Sequence, residues 1–86
     1  MTQEELISLG FKRTDVSAEE SGDYAFYYYD LDFGSGRAIN LISSDNHEAE
    51  KNGEWHVEVF EDPSISYNNY QDVSEFIRIV NKGINK

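Results

Sequence analysis

Asp23-Tyr-Ala-Phe-Tyr-Tyr-Tyr-Asp30, Arg37-Ala-Ile-Asn-Leu-Ile42 and Glu54-Trp-His-Val-Glu-Val-Phe-Glu61 are three segments dense in aromatic and β-branched residues. Such side chains suit a pleated, half-buried surface, and the alternation within these segments has the period of a strand. Phe11-Lys-Arg-Thr-Asp-Val16 reads as an earlier strand, ended by the polar turn Ser17-Ala-Glu-Glu-Ser-Gly22. Ile65 and Tyr67, beyond Pro63, read as a short last strand. Short connections between successive strands favour an antiparallel meander.

Helical patterns flank the strands. Thr2-Gln-Glu-Glu5 has the spacing of a capping box, and Leu6, Ile7 and Leu9 follow before Gly10. These residues predict a short helix over residues 3–9. At the other end Asn69 can cap a helix whose first turn holds Asp72. Val73, Phe76, Ile77, Val80 and Ile84 recur at helical spacing as one apolar stripe, with Arg78, Lys82 and Lys86 on another face and Gly83 as the expected end. Between the strands, Phe33-Gly-Ser-Gly36 reads as a hairpin turn. Ser44 to Gly53 is a polar connection in which Asp45 and Glu48 permit one helical turn. A helix stripe must be buried, and one sheet face is the available partner. The expected fold is a single α+β domain over residues 1–86. It has a four- or five-stranded antiparallel meander sheet, with the short N-terminal helix and the C-terminal helix packed on one face.

Parity then assigns the two faces. Trp55, Val57 and Val59 are the apolar set of their strand and should meet the helices, joined by Ile39, Leu41, Tyr27, Tyr29 and Leu31. The opposite parity carries Tyr24, Phe26, Tyr28, Ala38, Asn40, Ile42, His56, Glu58 and Phe60. That set is less polar than a sheet face that simply meets water. Tyrosines are good strand formers and tolerate partial exposure, so packing alone could account for them. Contiguous exposed apolar area and tyrosine enrichment are also marks of an interface. Tyr24, Phe26, Tyr28, His56, Glu58 and Phe60 are the candidate binding residues.

Charge narrows the partners. The formal charge is −10, and all seventeen acids lie in residues 1–75 with four of the seven bases, Lys12, Arg13, Arg37 and Lys51. Phosphate-backbone affinity comes from clustered cations. Modules that stack bases on an aromatic sheet also support those aromatics with basic residues, whereas this face holds Asp30 and Glu58. Direct nucleic-acid binding is not expected. There is no cysteine, hence no disulfide framework or thiolate site. The start lacks the basic and apolar regions of a signal peptide, and no apolar run approaches a membrane span. A cytoplasmic protein without membrane contact is the expectation.

No spacing in the chain points to catalysis. His47 lies among Asp45, Glu48 and Glu50, a set that could hold a divalent cation, yet the alternating acids and glycine of a calcium loop are missing. His56 alternates with core residues and is expected on the exposed face. No HExxH motif or nucleophile elbow occurs, and the glycines after Phe33 lack the lysine and helix start of a phosphate loop. Neither an enzyme, a metal site nor a cofactor is expected. Leu9-Gly-Phe11, Leu41-Ile-Ser-Ser-Asp-Asn46 and Trp55-His-Val-Glu-Val-Phe-Glu61 resemble segments of small proteins of no known activity encoded by bacteriophages and prophages. The resemblance implies a mobile-element origin and life in an infected bacterium's cytoplasm. It implies no catalytic or ligand residue. Two roles follow as expectations. One is a non-enzymatic module that binds a protein partner, or itself, through the aromatic face. The other is an acidic imitation of DNA phosphates that inhibits a nucleic-acid-binding protein.

Overall fold

The computed structural model describes residues 1–33 and 39–84. Four helices and five strands follow in the order α1 (Gln3–Ser8), β1 (Lys12–Val16), α2 (Ala18–Ser21), β2 (Phe26–Asp32), β3 (Asn40–Ser43), α3 (Asn46–Asn52), β4 (Val57–Val59), β5 (Asp62–Tyr67) and α4 (Tyr70–Ile84). The strands form one antiparallel sheet in chain order, β1 to β5. This is the expected α+β meander with all five strands present.

Caps chosen by the sequence start each helix. The Thr2 hydroxyl accepts from the Glu5 amide at 3.2 Å, and the Glu5 carboxylate accepts from the Thr2 amide at 2.9 Å. Asp45 accepts from the Glu48 amide at 2.8 Å, and Asn69 accepts from the Asp72 amide at 2.9 Å. Each side chain satisfies an amide that has no partner within its helix. Gly22 and Gly53 close α2 and α3 with φ of 78° and 77°, a left-handed conformation costly for any residue with a Cβ.

Among the described residues, the largest fully buried side chains lie in one core. Leu6 from α1, Leu41 from β3, Val57 from β4 and Val73 from α4 are each 0% exposed. Tyr29, Trp55, Val59, Phe11, Met1 and Ala49 complete the core, with Phe76 and Ile77 packed against it. Registers align its sheet side: Leu31 pairs with Leu41, Leu41 with Val59, and Val57 with Tyr67. The hydroxyls of Tyr27 and Tyr29 both donate to Gln3 Oε1, at 3.1 and 3.0 Å, and so tie α1 to this face. Burial, followed by the neighbouring Tyr27, pushes the Tyr29 phenol above its usual pKa, which keeps it a neutral donor. Among the described residues no buried side-chain polar atom lacks a partner.

Leu41 sits at the centre of the sheet with no exposure, so Leu41→Ala removes core contacts that its neighbours cannot replace. The expected loss is about 2–5 kcal/mol, measurable as a lower urea midpoint with an unchanged slope.

Several local expectations need correction. Ser17 to Gly22 is not only a polar turn: Ser17 and Glu20 form a second capping box around the four-residue α2. The connection after Ser44 holds seven helical residues rather than one turn, because Ala49 gives α3 a buried anchor. Strand pairing in β4 begins at Val57. The Trp55 amide instead donates to the Met1 carbonyl at 2.9 Å, and the Met1 amino group donates to the Trp55 carbonyl at 3.2 Å. Gly83 does not end α4, which continues through Ile84. The glycine turn after Phe33, Arg37 and Ala38 at the start of their strand, the Ile84 side chain and Lys86 lie outside the described residues.

Candidate interaction face

The buried side chains of α1, α3 and α4 (Leu6, Ala49 and Val73) all enter the core, and α2 buries none. Among the described residues no helix therefore contributes a buried side chain to the opposite sheet face, on which alternate strand residues are left uncovered. There Phe26 pairs with Val16, Tyr28 with Thr14, Asp30 with both Lys12 and Ile42, and Ile42 with Glu58. Phe26, Tyr28, Ile42, His56 and Glu58 are all half-buried.

Aromatic rings form a row along β2. The Phe26 and Tyr28 centroids are 6.3 Å apart and stacked, and Tyr24 continues the row edge-on to Phe26 at 6.4 Å. Same-face residues two apart on a strand are close enough for such contacts. Tyr24 lies just before β2 and is 49% exposed. The His47 ring meets it edge-on at 4.6 Å, and His47 Nε2 donates to the Ala25 carbonyl at 3.0 Å. His47 thus fixes the entry to β2. Beside the row, the Thr14 hydroxyl donates to Asp30 Oδ1 at 2.8 Å.

The six candidate residues are only partly brought together. Tyr24, Phe26 and Tyr28 share one row, and Glu58 lies two strands away on the same face, beside Ile42. Phe60 is 62% exposed, but it sits in the turn between β4 and β5 and not within a strand. His56 lines an open cleft of about 360 Å³ with Glu54, Ser66, Tyr67, Asn68 and Asp72. Among the described residues no hydrogen bond joins its ring to that serine or to either acid, and no group of acids and histidines has the geometry of a metal site. Thr14 and Val16 also belong to the face. The sequence signal that could have placed them was the parity of β1 against β2.

The turn at Phe60 is held from a distance. The Glu61 carboxylate accepts from the Asn40 amide at 2.8 Å and from Asn40 Nδ2 at 2.9 Å. Those two bonds, the side-chain one first, hold its pKa below the usual glutamate value. A carboxyl with a depressed folded pKa contributes stability above its unfolded value and loses it as pH falls through the folded value. By NMR titration, Glu61 is expected to protonate below the ordinary glutamate range. Asn40→Ala should move it part of the way back, since the backbone donor remains.

Among the described residues no helix is long and apolar enough to cross a membrane. Compared with protein-family models, curated proteins and solved structures, the chain matches none.

Proposed function

We propose that this protein is a non-enzymatic interaction module whose uncovered aromatic sheet face docks another protein. The observation that carries this reading is the unbroken row Tyr24, Phe26, Tyr28 on the face opposite the helices. Tyrosine and phenylalanine offer large contact area with few rotatable bonds, which is why they anchor interfaces. Asp30 continues the row on β2, and Glu58 lies on the same face two strands away. Stacking this face on its own copy would bring Asp30 and Glu58 toward the same acids of the second chain. The fitting partner is a different protein whose patch combines apolar and basic groups. The resemblance to phage-encoded proteins would put that partner in the cytoplasm of an infected bacterium.

The test is capture of a partner from the native host, followed by titration calorimetry with the purified partner. Tyr28→Glu is expected to weaken binding at least ~10-fold, the scale of one anchor residue. Tyr70→Glu, on α4, should leave it unchanged. Equal affinity for Tyr28→Glu and the unsubstituted chain would overturn the reading.

The second reading, an acidic imitation of DNA phosphates, is supported by the charge of −10. Ion pairs between described residues engage Asp15, Glu54 and Glu75. It predicts the reverse pattern: binding competed by DNA, abolished by salt and insensitive to Tyr28→Glu.

A further inference from the structure

The two edges of the sheet are unlike. β5 is blunted: Pro63 lies near its start, and its register with β4 breaks between Glu58 and Val59. Ser64 also turns back on Asp62, its hydroxyl donating at 2.6 Å. Such features keep a foreign strand from adding to an edge. β1 has none of them. Its five residues pair with β2 in an unbroken register, and among the described residues no strand pairs with its other side. Lysine and arginine on an edge ordinarily repel a second strand, so the arrangement of charge along β1 decides what the edge accepts.

The strand is polar along its length. Lys12 and Arg13 open it, Asp15 lies near its end, and the acids Glu19 and Glu20 follow in α2. Two copies related by a two-fold axis pair antiparallel, and like faces stay aligned only when the axis passes through a residue of the strand. Centred on Lys12 or Arg13, such a pair opposes like cations. Centred on Asp15, it opposes like anions. Centred on Thr14, it sets Arg13 opposite Asp15 of the second copy twice over, Lys12 opposite Val16, and Thr14 opposite itself. Opposite charges directly across a sheet stabilise it and like charges destabilise it.

The side chains are already set for that register. Arg13 Cζ lies 3.7 Å from the centroid of the Tyr27 ring on β2, which fixes the guanidinium on the core-side face next to the edge strand. Arg13 Nε and Nη2 both donate to Asp15 Oδ1, at 3.0 and 2.8 Å. Asp15 Oδ2 has no hydrogen bond among the described residues and is available to Arg13 of the second copy. The two side chains keep 49% and 65% of their surface exposed.

We propose that β1 is a self-complementary edge through which two copies of this chain join, centred on Thr14, into one continuous ten-stranded sheet. The contact is independent of the aromatic face, which stays open on both copies. Because only five residues pair, association is weak and appears at high concentration.

Sedimentation equilibrium at physiological salt, from micromolar to millimolar protein, reads it. The unsubstituted chain is expected to show a monomer–dimer equilibrium. Arg13→Asp alone, or Asp15→Arg alone, should weaken it at least ~10-fold, because each turns two attractive pairs repulsive. An equimolar mixture of the two variants should regain dimer, since each supplies the charge that the other lacks. Tyr28→Glu should leave the equilibrium intact, which separates this edge from the face. A chain that stays monomeric to millimolar concentration overturns the proposal. So does a dimer indifferent to both charge reversals, or a mixture that remains monomeric. Should either variant misfold by circular dichroism, concentration-dependent amide shifts in the unsubstituted chain decide. Shifts concentrated at residues 12–16 support the edge, and shifts elsewhere or none overturn it.

Discussion

Trp55→Ala is expected to remove about 3–5 kcal/mol of unfolding free energy, from a total on the order of 4–13 kcal/mol for a domain of this length. Trp55 is 7% exposed. Its ring centroid stands 5.8 Å from that of Tyr27 and 5.3 Å from that of Tyr29, so three aromatic rings share one cluster. That cluster supports the phenols that hold Gln3 of α1, and it backs the Tyr27 ring on which Arg13 rests. The main-chain bonds between Trp55 and Met1 do not involve the side chain, so the substitution isolates the ring. Urea denaturation followed by far-ultraviolet circular dichroism measures the loss, since Trp55 is the sole tryptophan and its fluorescence disappears with it. A loss below about 1 kcal/mol, the scale of an ordinary surface change, would show that the ring is not part of the core.

Much of this architecture was legible because it is written locally. Capping at Thr2, Asp45 and Asn69 depends on residues three apart, and the structure forms all three caps. Alternation put Val57 and Val59 inward, where both are buried, and the stripe on α4 led to Val73 and Phe76. Features that depend on distant partners could not be read. Phe60 follows the alternation of a strand residue, yet Glu61 reaches Asn40 and fixes a turn there. Trp55 leaves strand pairing because Met1 takes its backbone. The length of α3 depends on Ala49 finding space in the core, which no capping residue encodes. Within the candidate face, the row from Tyr24 to Phe26 to Tyr28 followed from parity along one segment. The approach of His47 to Tyr24 did not, since it joins residues on two separate elements.

The neighbours Tyr28 and Tyr29 distinguish the two sides of the sheet most sharply. Successive strand residues point to opposite faces, so two adjacent tyrosines report on the two sides of the sheet. Tyr29 is 4% exposed within the core. Glutamate there would be a charge without a partner, costing several kcal/mol even after the surroundings relax. Set against the total for a domain of this size, that is enough to leave Tyr29→Glu largely unfolded at 25 °C. Tyr28 is half-buried on the uncovered face, where its described ring contact is with Phe26. Losing that contact costs about 0.2–1 kcal/mol, and the new carboxylate remains in water. Urea denaturation of both variants beside the unsubstituted chain is the most direct measurement. Tyr28→Glu is expected to keep a cooperative transition within about 1 kcal/mol of the original, while Tyr29→Glu shows little or none. Equal damage from both substitutions, or a stable Tyr29→Glu, would contradict a sheet covered on one side and open on the other.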